Sequence, residues 1–125
     1  MKLLLDTHIL LWVMQDADAL SGRARLIIEK ADEVYVSSIS LWEVAIKSAA
    51  GKLAVEPARL EAVARDAGFL PLAVSWVHAL ALHGLPPLHR DPFDRMLIAQ
   101  AVSEPMHFLT RDKALAAYTP LVTIV

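Results

Sequence analysis

Four carboxylates in this chain stand where they can act together: Asp6, Glu43, Asp94 and Asp112. Asp6 follows the apolar run Lys2 to Leu5, Asp112 closes Thr110-Arg111-Asp112 after His107 to Thr110, and Glu43 and Asp94 fall in the early turns of two expected helices. In an open α/β sheet, functional groups collect beyond the carboxyl ends of the strands, so the four acids can converge on one edge. Mutually repelling acids there destabilise a fold unless they are protonated or hold a cation. The chain has no Cys, which leaves oxygen and imidazole as metal ligands. An oxygen-only set suits Mg²⁺ or Mn²⁺. Such an ion lowers the pKa of bound water, aligns it and neutralises charge building on a phosphate during in-line displacement. Phosphodiester hydrolysis is the reaction class that follows.

Taken singly, each acid also has a structural use. Asp6 can cap the first helix, Asp112 the last, and Asp91 the helix holding Asp94, whose place as third residue suits the helix dipole. Glu43 precedes Lys47 by four residues, the stabilising order for an ion pair on a helix. Position argues for more than this. Asp94 shares a helix face with Leu97, Ile98 and Ala101, and Glu43 a stripe with Ile39, Ile46 and Ala50, so both are directed near the core.

The elements that must position these groups are well punctuated. Lys2 to Leu5 predicts a strand and His8 to Met14 a helix; Ser21 caps a second helix running to Lys30, and Glu33 to Ser37 has strand composition. Ser38 or Ser40 starts a helix that runs through Ala50 and stops at Gly51, while Pro57 opens and Gly68 closes another. Phe69 to Val74 predicts a strand, Ser75 to His83 a helix, Asp91 to Ser103 a longer helix, His107 to Thr110 a strand, Lys113 to Tyr118 a short helix and Leu121 to Val125 a fifth strand. Helices alternating with short buried strands predict a mostly parallel sheet covered on both faces.

At 125 residues the chain has the size of one domain, and residues 1–125 are expected to form one. Hydrophobic residues reach 56%, or about 58% with Gly counted in place of Tyr, above the usual range of about 45–50% and incompatible with disorder. A small domain leaves some of that apolar surface outside, where it can seek a partner. A net charge of −2 gives no overall positive field of the kind a basic DNA-binding domain presents. The absence of Cys fits a reducing cytosol, and a cytoplasmic location is expected. Asp6 interrupts the start too early for a signal peptide. Residues 67–89 carry no Asp, Glu, Lys or Arg, but Pro71 and Pro86-Pro87 leave room for a helix of about 14 residues, or 21 Å against a hydrocarbon core near 30 Å. No membrane span is expected.

Leu3-Leu4-Leu5-Asp6-Thr7-His8, Ser38-Ile39-Ser40-Leu41-Trp42-Glu43, Asp91-Pro92-Phe93-Asp94-Arg95-Met96-Leu97-Ile98-Ala99-Gln100-Ala101 and Leu109-Thr110-Arg111-Asp112 resemble, in order and spacing, the PIN-domain ribonucleases. The likeness is greatest to the VapC-type toxins of prokaryotic toxin–antitoxin pairs, and it spans essentially the whole chain. It implies a PIN-like three-layer fold with a mostly parallel central sheet of about five strands. It also implies that Asp6, Glu43, Asp94 and Asp112 match the acidic quartet that binds one or two Mg²⁺ or Mn²⁺ ions and hydrolyses RNA. Thr7 and Thr110 match small hydroxyl residues that help place water, metal or a carboxylate; Ser38 is a further candidate, and helix capping is the competing use of all three. Asp91 is assigned a supporting or capping role, and His8 stands where many relatives carry Asn. A homodimer and a cognate antitoxin whose tail covers the acidic groove are implied as well.

For RNA contact the candidates are Lys47, Arg90, Arg95, Arg111 and Lys113, which flank the acids and can offset their repulsion of phosphate. Trp12, Trp42 and Trp76 can stack bases, but packing in the core is the expectation for all three. His78, His83 and His89 show no ligand spacing. Two signalling or phosphatase alternatives fare poorly: a receiver-type module lacks its paired acids and phosphoacceptor, and a haloacid-dehalogenase-like phosphatase needs Asp where His8 stands. A catalytically silent PIN-fold binding module is the stronger alternative, opposed by the presence of all four acids.

Overall fold

The computed structural model describes residues 1–15 and 18–125. Along these run β1 (Lys2–Leu5), α1 (Thr7–Gln15), α2 (Gly22–Lys30), β2 (Glu33–Ser37), α3 (Ser38–Ala49), α4 (Pro57–Asp66), β3 (Leu70–Leu72), α5 (Trp76–His83), α6 (Pro92–Ser103), β4 (His107–Thr110), a 3₁₀ helix (Lys113–Ala117) and β5 (Val122–Ile124). All five strands are parallel, in the order β3-β2-β1-β4-β5. The expected three-layer α/β architecture is the one observed.

β1 occupies the centre because it can be buried on both faces. Leu3 and Leu5 enter one core with Ile9, Leu10, Ala24, Val44 and Leu60, while Leu4 enters the other with Ile39, Leu97, Ile98 and Phe108. That alternation is the two-residue period of a strand, and the unbroken apolar run is what an internal parallel strand requires. The chain passes from β1 outward through β2 to β3, then crosses to lay β4 on the other side of β1. A topological switch point therefore lies at the carboxyl ends of β1 and β4, where open α/β sheets form their binding crevice.

Local hydrogen-bond chemistry sets the helix boundaries. Gly51 (φ 72°) and Gly68 (φ 80°) take the left-handed conformation at the ends of α3 and α4. In both places the two bonds of a Schellman motif form: Gly51 to Ser48 with Lys52 to Lys47, and Gly68 to Arg65 with Phe69 to Ala64. Ser21 caps α2 and Ser75 caps α5, as expected. α3 starts at Ser38, one of the two serines expected there, with Ser37 before it as the N-cap accepting the Ile39 N–H, so the helix begins immediately after β2. β3 is also shorter than Phe69 to Val74, and β5 shorter than Leu121 to Val125, since both are edge strands and Pro71 in β3 supplies no N–H.

Trp12 packs against the core as expected, whereas Trp42 and Trp76 correct that expectation. Trp76 is 90% exposed and Trp42 58%, with Trp12 half-buried. Trp76 joins exposed Val77 and Leu80 on α5, a helix of 8 residues. No helix among the described residues is long and apolar enough to cross a membrane.

The spacing of α3 and α6 depends on a buried polar clamp. Gln100 of α6 is fully buried; its Oε1 accepts from the Ser37 hydroxyl at 2.5 Å and its Nε2 donates to the Ala73 carbonyl at 3.4 Å. Gln100→Leu leaves the hydroxyl and the carbonyl without this partner, and a loss of about 1–3 kcal/mol is expected in urea unfolding. Adding Ser37→Ala removes one orphaned group, so the double variant is expected to lose less than the sum of the single losses. Strict additivity would contradict the clamp.

Candidate active site

The carboxylates meet at the switch point because each is fixed by the element that carries it. Asp6 leaves β1 with its N–H donating to the Leu109 carbonyl at 3.0 Å, which holds it beside β4. The Thr110 hydroxyl then donates to Asp6 Oδ2 at 2.6 Å and accepts the Asp112 N–H at 3.1 Å, tying both acids to one side chain. Asp112 Oδ1 accepts the Ala114 N–H at 3.0 Å and so starts the 3₁₀ helix. Asp91 caps α6 by accepting the N–H groups of Phe93 (2.8 Å) and Asp94 (3.2 Å), placing Asp94 in its first turn. Pro92 follows as a preorganised first helical residue.

Glu43 comes from the second turn of α3 and is buried, with Oε2 accepting from Lys47 Nζ at 2.6 Å. The ion pair anticipated between these residues is thus present. Of the expected stripe, Ile39 and Glu43 are buried whereas Ile46 and Ala50 are exposed; the buried face of α3 is made by Ile39, Ser40, Glu43 and Val44. Thr7 donates to the Ser40 hydroxyl at 2.9 Å, joining the first turns of α1 and α3. Ser38 is exposed and its hydroxyl accepts the Val74 N–H at 3.2 Å, because starting α3 after Ser37 turns Ser40 inward instead.

Asp6, His8, Asp94, Arg111, Asp112 and Lys113 line an open cleft of about 510 Å³. Thr7, His8, Glu43 and Lys47 line a smaller recess that shares His8 with it. Arg111 also lies over the Trp12 ring, 4.9 Å from its centroid, which holds a cation at the cleft wall. Arg95 is turned to the Leu85 carbonyl at 3.3 Å, and Arg90 is exposed; neither is among the residues lining the cleft. Trp42 packs edge-on against Phe93, with ring centroids 5.6 Å apart.

His89 was not legible as part of this site. Its Nε2 lies 3.2 Å from Asp112 Oδ2 and 3.9 Å from Asp94 Oδ2. Together the three residues offer ligand atoms that all lie within 4.8 Å of one another. The absence of ligand spacing misleads here, because His89 and Asp112 come from separate loops. The available signal is local: His89 is two residues from the α6 N-cap, and its Nδ1 accepts the Asp91 N–H at 3.1 Å.

Burial dominates the electrostatics, and crowding of negative charge adds to it. Burial pushes the Asp6 carboxyl above its usual range, against the opposing effects of the Thr110 bond and His8. Asp94 is pushed up to about 7, first by burial and then by repulsion from Asp6, Asp91, Glu43 and Asp112. The Glu43 bond moves Lys47 in the direction that keeps its ammonium charged. Even so, Asp6 Oδ1 and Glu43 Oε1 are buried with no hydrogen-bond partner among the described residues. A buried carboxylate oxygen without a donor is expensive, and a hard divalent cation satisfies it while relieving the repulsion. The residues present therefore fit such an ion.

Comparison with known proteins agrees with this architecture. The PIN domain family profile matches residues 3–119. Ribonuclease VapC22 of Mycobacterium tuberculosis is 28% identical, over 92% of this chain and 90% of its own length. Among solved structures, VapBC2 from Rickettsia felis, bound to a promoter DNA fragment, aligns with a TM-score of 0.71 at 16% identity, covering 100% of this chain and 98% of the other. A toxin–antitoxin complex from Klebsiella pneumoniae aligns with a TM-score of 0.66 at 19% identity, covering 96% and 94%. At such identities the structural likeness speaks for the fold, and the profile match over nearly all of the chain decides the family. This chain belongs to the PIN domain family.

Proposed function

We propose that this chain is a metal-dependent endoribonuclease and the toxin of a type II toxin–antitoxin pair. The observation that carries the enzymatic part is the pair of buried, unpartnered carboxylate oxygens, Asp6 Oδ1 and Glu43 Oε1, beside an Asp94 that burial, and then repulsion from neighbouring acids, drives towards its neutral form. A binding module with no use for a cation has no reason to keep that arrangement. Similarity to a ribonuclease of the VapC type, and to toxin–antitoxin complexes in fold, supports the choice of substrate and biological role.

Asp6 and Asp94 are the principal ligands for Mg²⁺ or Mn²⁺ in this reading, with Glu43 and Asp112 in support. Thr110 fixes Asp6, the Thr7–Ser40 contact fixes the first turns of α1 and α3, and Asp91 fixes the start of α6. When bound, the ion supplies a lowered pKa for water and charge neutralisation at phosphate. Arg111 and Lys113 at the cleft draw the RNA backbone towards an otherwise negative surface, and Lys47 balances Glu43. Water attacks phosphorus, the bond to the 3′ oxygen breaks, and the products carry 5′-phosphate and 3′-hydroxyl ends. The exposed apolar residues Trp76, Val77 and Leu80 favour association, in keeping with a homodimer and a cognate antitoxin in the cytoplasm.

Incubating total bacterial RNA with the protein in Mg²⁺ is expected to give discrete new 5′ ends that disappear with EDTA. Asp94→Asn should keep the fold and lower cleavage by more than about 100-fold, beyond the usual loss for a residue that merely supports a ligand. Equal cleavage by wild type and variant would remove the assignment of Asp94, and 5′-hydroxyl ends would overturn the mechanism.

The same charges predict a metal-linked pH dependence of stability. Asp94 rises from an ordinary carboxyl value of 3.8 to about 7 in the folded protein, and Asp6 moves in the same direction. A raised carboxyl contributes stability that is complete below its unfolded value and lost as pH rises through the folded one. The metal-free protein therefore loses stability between about pH 4 and pH 7, and Mg²⁺ restores it by replacing protons. Calorimetry is expected to show Mg²⁺ raising Tm by several degrees near pH 8 and hardly at all near pH 5, with Asp94→Asn weakening the difference. The same Mg²⁺ shift at both pH values would contradict this coupling.

A further inference from the structure

The ring of His89 resembles at first an ordinary histidine ligand in a histidine–carboxylate metal site, since its Nε2 sits among oxygens of Asp94 and Asp112. Its other contacts argue otherwise. Nδ1 accepts the backbone N–H of Asp91 at 3.1 Å, and the backbone N–H of His89 donates to the Tyr118 hydroxyl at 2.9 Å. The ring is therefore held from behind, and its orientation is not free to exchange the two nitrogens.

A neutral imidazole has one N–H and one bare nitrogen. When a histidine binds a cation through Nε2, the proton resides on Nδ1, which donates to a carbonyl or carboxylate. In this protein the Asp91 N–H points at Nδ1, and a proton placed there would face another proton. The proton belongs on Nε2. Nε2–H then meets Asp112 Oδ2 at 3.2 Å as a donor, with Asp94 Oδ2 at 3.9 Å on the same side. Asp112 Oδ1 is meanwhile held by the Ala114 N–H at 3.0 Å, so each oxygen of Asp112 receives one hydrogen bond and keeps a lone pair.

Resting on the reading that this cleft holds a divalent cation, we infer that His89 is a positioning residue of the metal centre and not one of its ligands. Its Nε2–H sets the rotamer of Asp112 and provides a fixed positive dipole between Asp112 and Asp94. The backbone N–H of Asp91, a residue whose side chain also caps the helix carrying Asp94, sets the tautomer of that donor. One short segment thus aims two carboxylates: Asp91 places Asp94 through the helix, and places Asp112 through the His89 ring.

The test combines a tautomer measurement with metal binding. In protein labelled with ¹⁵N-histidine, long-range ¹H–¹⁵N correlation is expected to show the His89 proton on Nε2 in the metal-free state and after saturation with Mg²⁺. Calorimetric titration with Mg²⁺ is expected to show His89→Ala binding about 10- to 100-fold more weakly, in the range for loss of a residue that orients a ligand. His89→Gln, whose amide nitrogen can replace the Nε2–H donor, is expected to stay within about threefold of wild type. A proton on Nδ1, loss of the Nε2 proton on adding Mg²⁺, or His89→Gln binding as weakly as His89→Ala would overturn the inference. Wild-type affinity in His89→Ala would do so as well. A wild-type protein that binds no Mg²⁺ would instead remove the metal reading itself, and with it this inference.

Discussion

Every part of this fold near the cleft answers one constraint: an ionisable side chain is buried at the end of the central strand, among others of the same charge. Asp6 has 3% of its surface exposed, and Glu43 the same. Two buried charges of one sign are among the least favourable arrangements a small domain can contain. The surrounding residues read as offsets to that arrangement. Thr110 donates to one oxygen of Asp6, Lys47 to one oxygen of Glu43, and the amino-terminal turn of α6 faces Asp94 with its positive end. These offsets are partial, which is why two oxygens remain without partners.

The parallel sheet makes such a concentration of charge feasible. Because β1 and β4 are adjacent and end together, residues from opposite ends of the sequence approach without any long loop to hold them. Helices on either face close the two cores, and the polar clamp between Ser37 and Gln100 ties the start of α3 to α6. Glu43 and Asp94 thus stand on helices, and Asp6 and Asp112 sit within two residues of the ends of β1 and β4, which fixes all four more firmly than a long loop would.

Much of the fold was legible in the sequence because its boundaries are written in local chemistry. Glycine after a helix, proline at its start and serine or aspartate before it act within a few residues, and Gly51, Gly68, Pro57, Ser21 and Asp91 all behave accordingly. Where serines cluster, the rule loses resolution: Ser38 and Ser40 both offer a start, and α3 starts at Ser38 with Ser37 as its cap. Burial is decided between elements and so was less legible. Trp42 and Trp76 have core composition and lie outside, while Gln100 has surface composition and lies fully inside. The four acids were visible as a set, since strand ends announce themselves. His89 was not, because its meeting with Asp112 depends on two loops folding towards each other.

The bond between Thr110 and Asp6 joins residues 104 positions apart. During synthesis Asp6 is made long before the hydroxyl that holds it and the neighbouring Asp112, which follow only with β4 and the residues just after it. The cleft therefore cannot assemble before β4 and the residues just after it have been made. A nascent chain that has not reached β4 holds no assembled acidic cleft, and a truncated product that ends before β4 cannot form one.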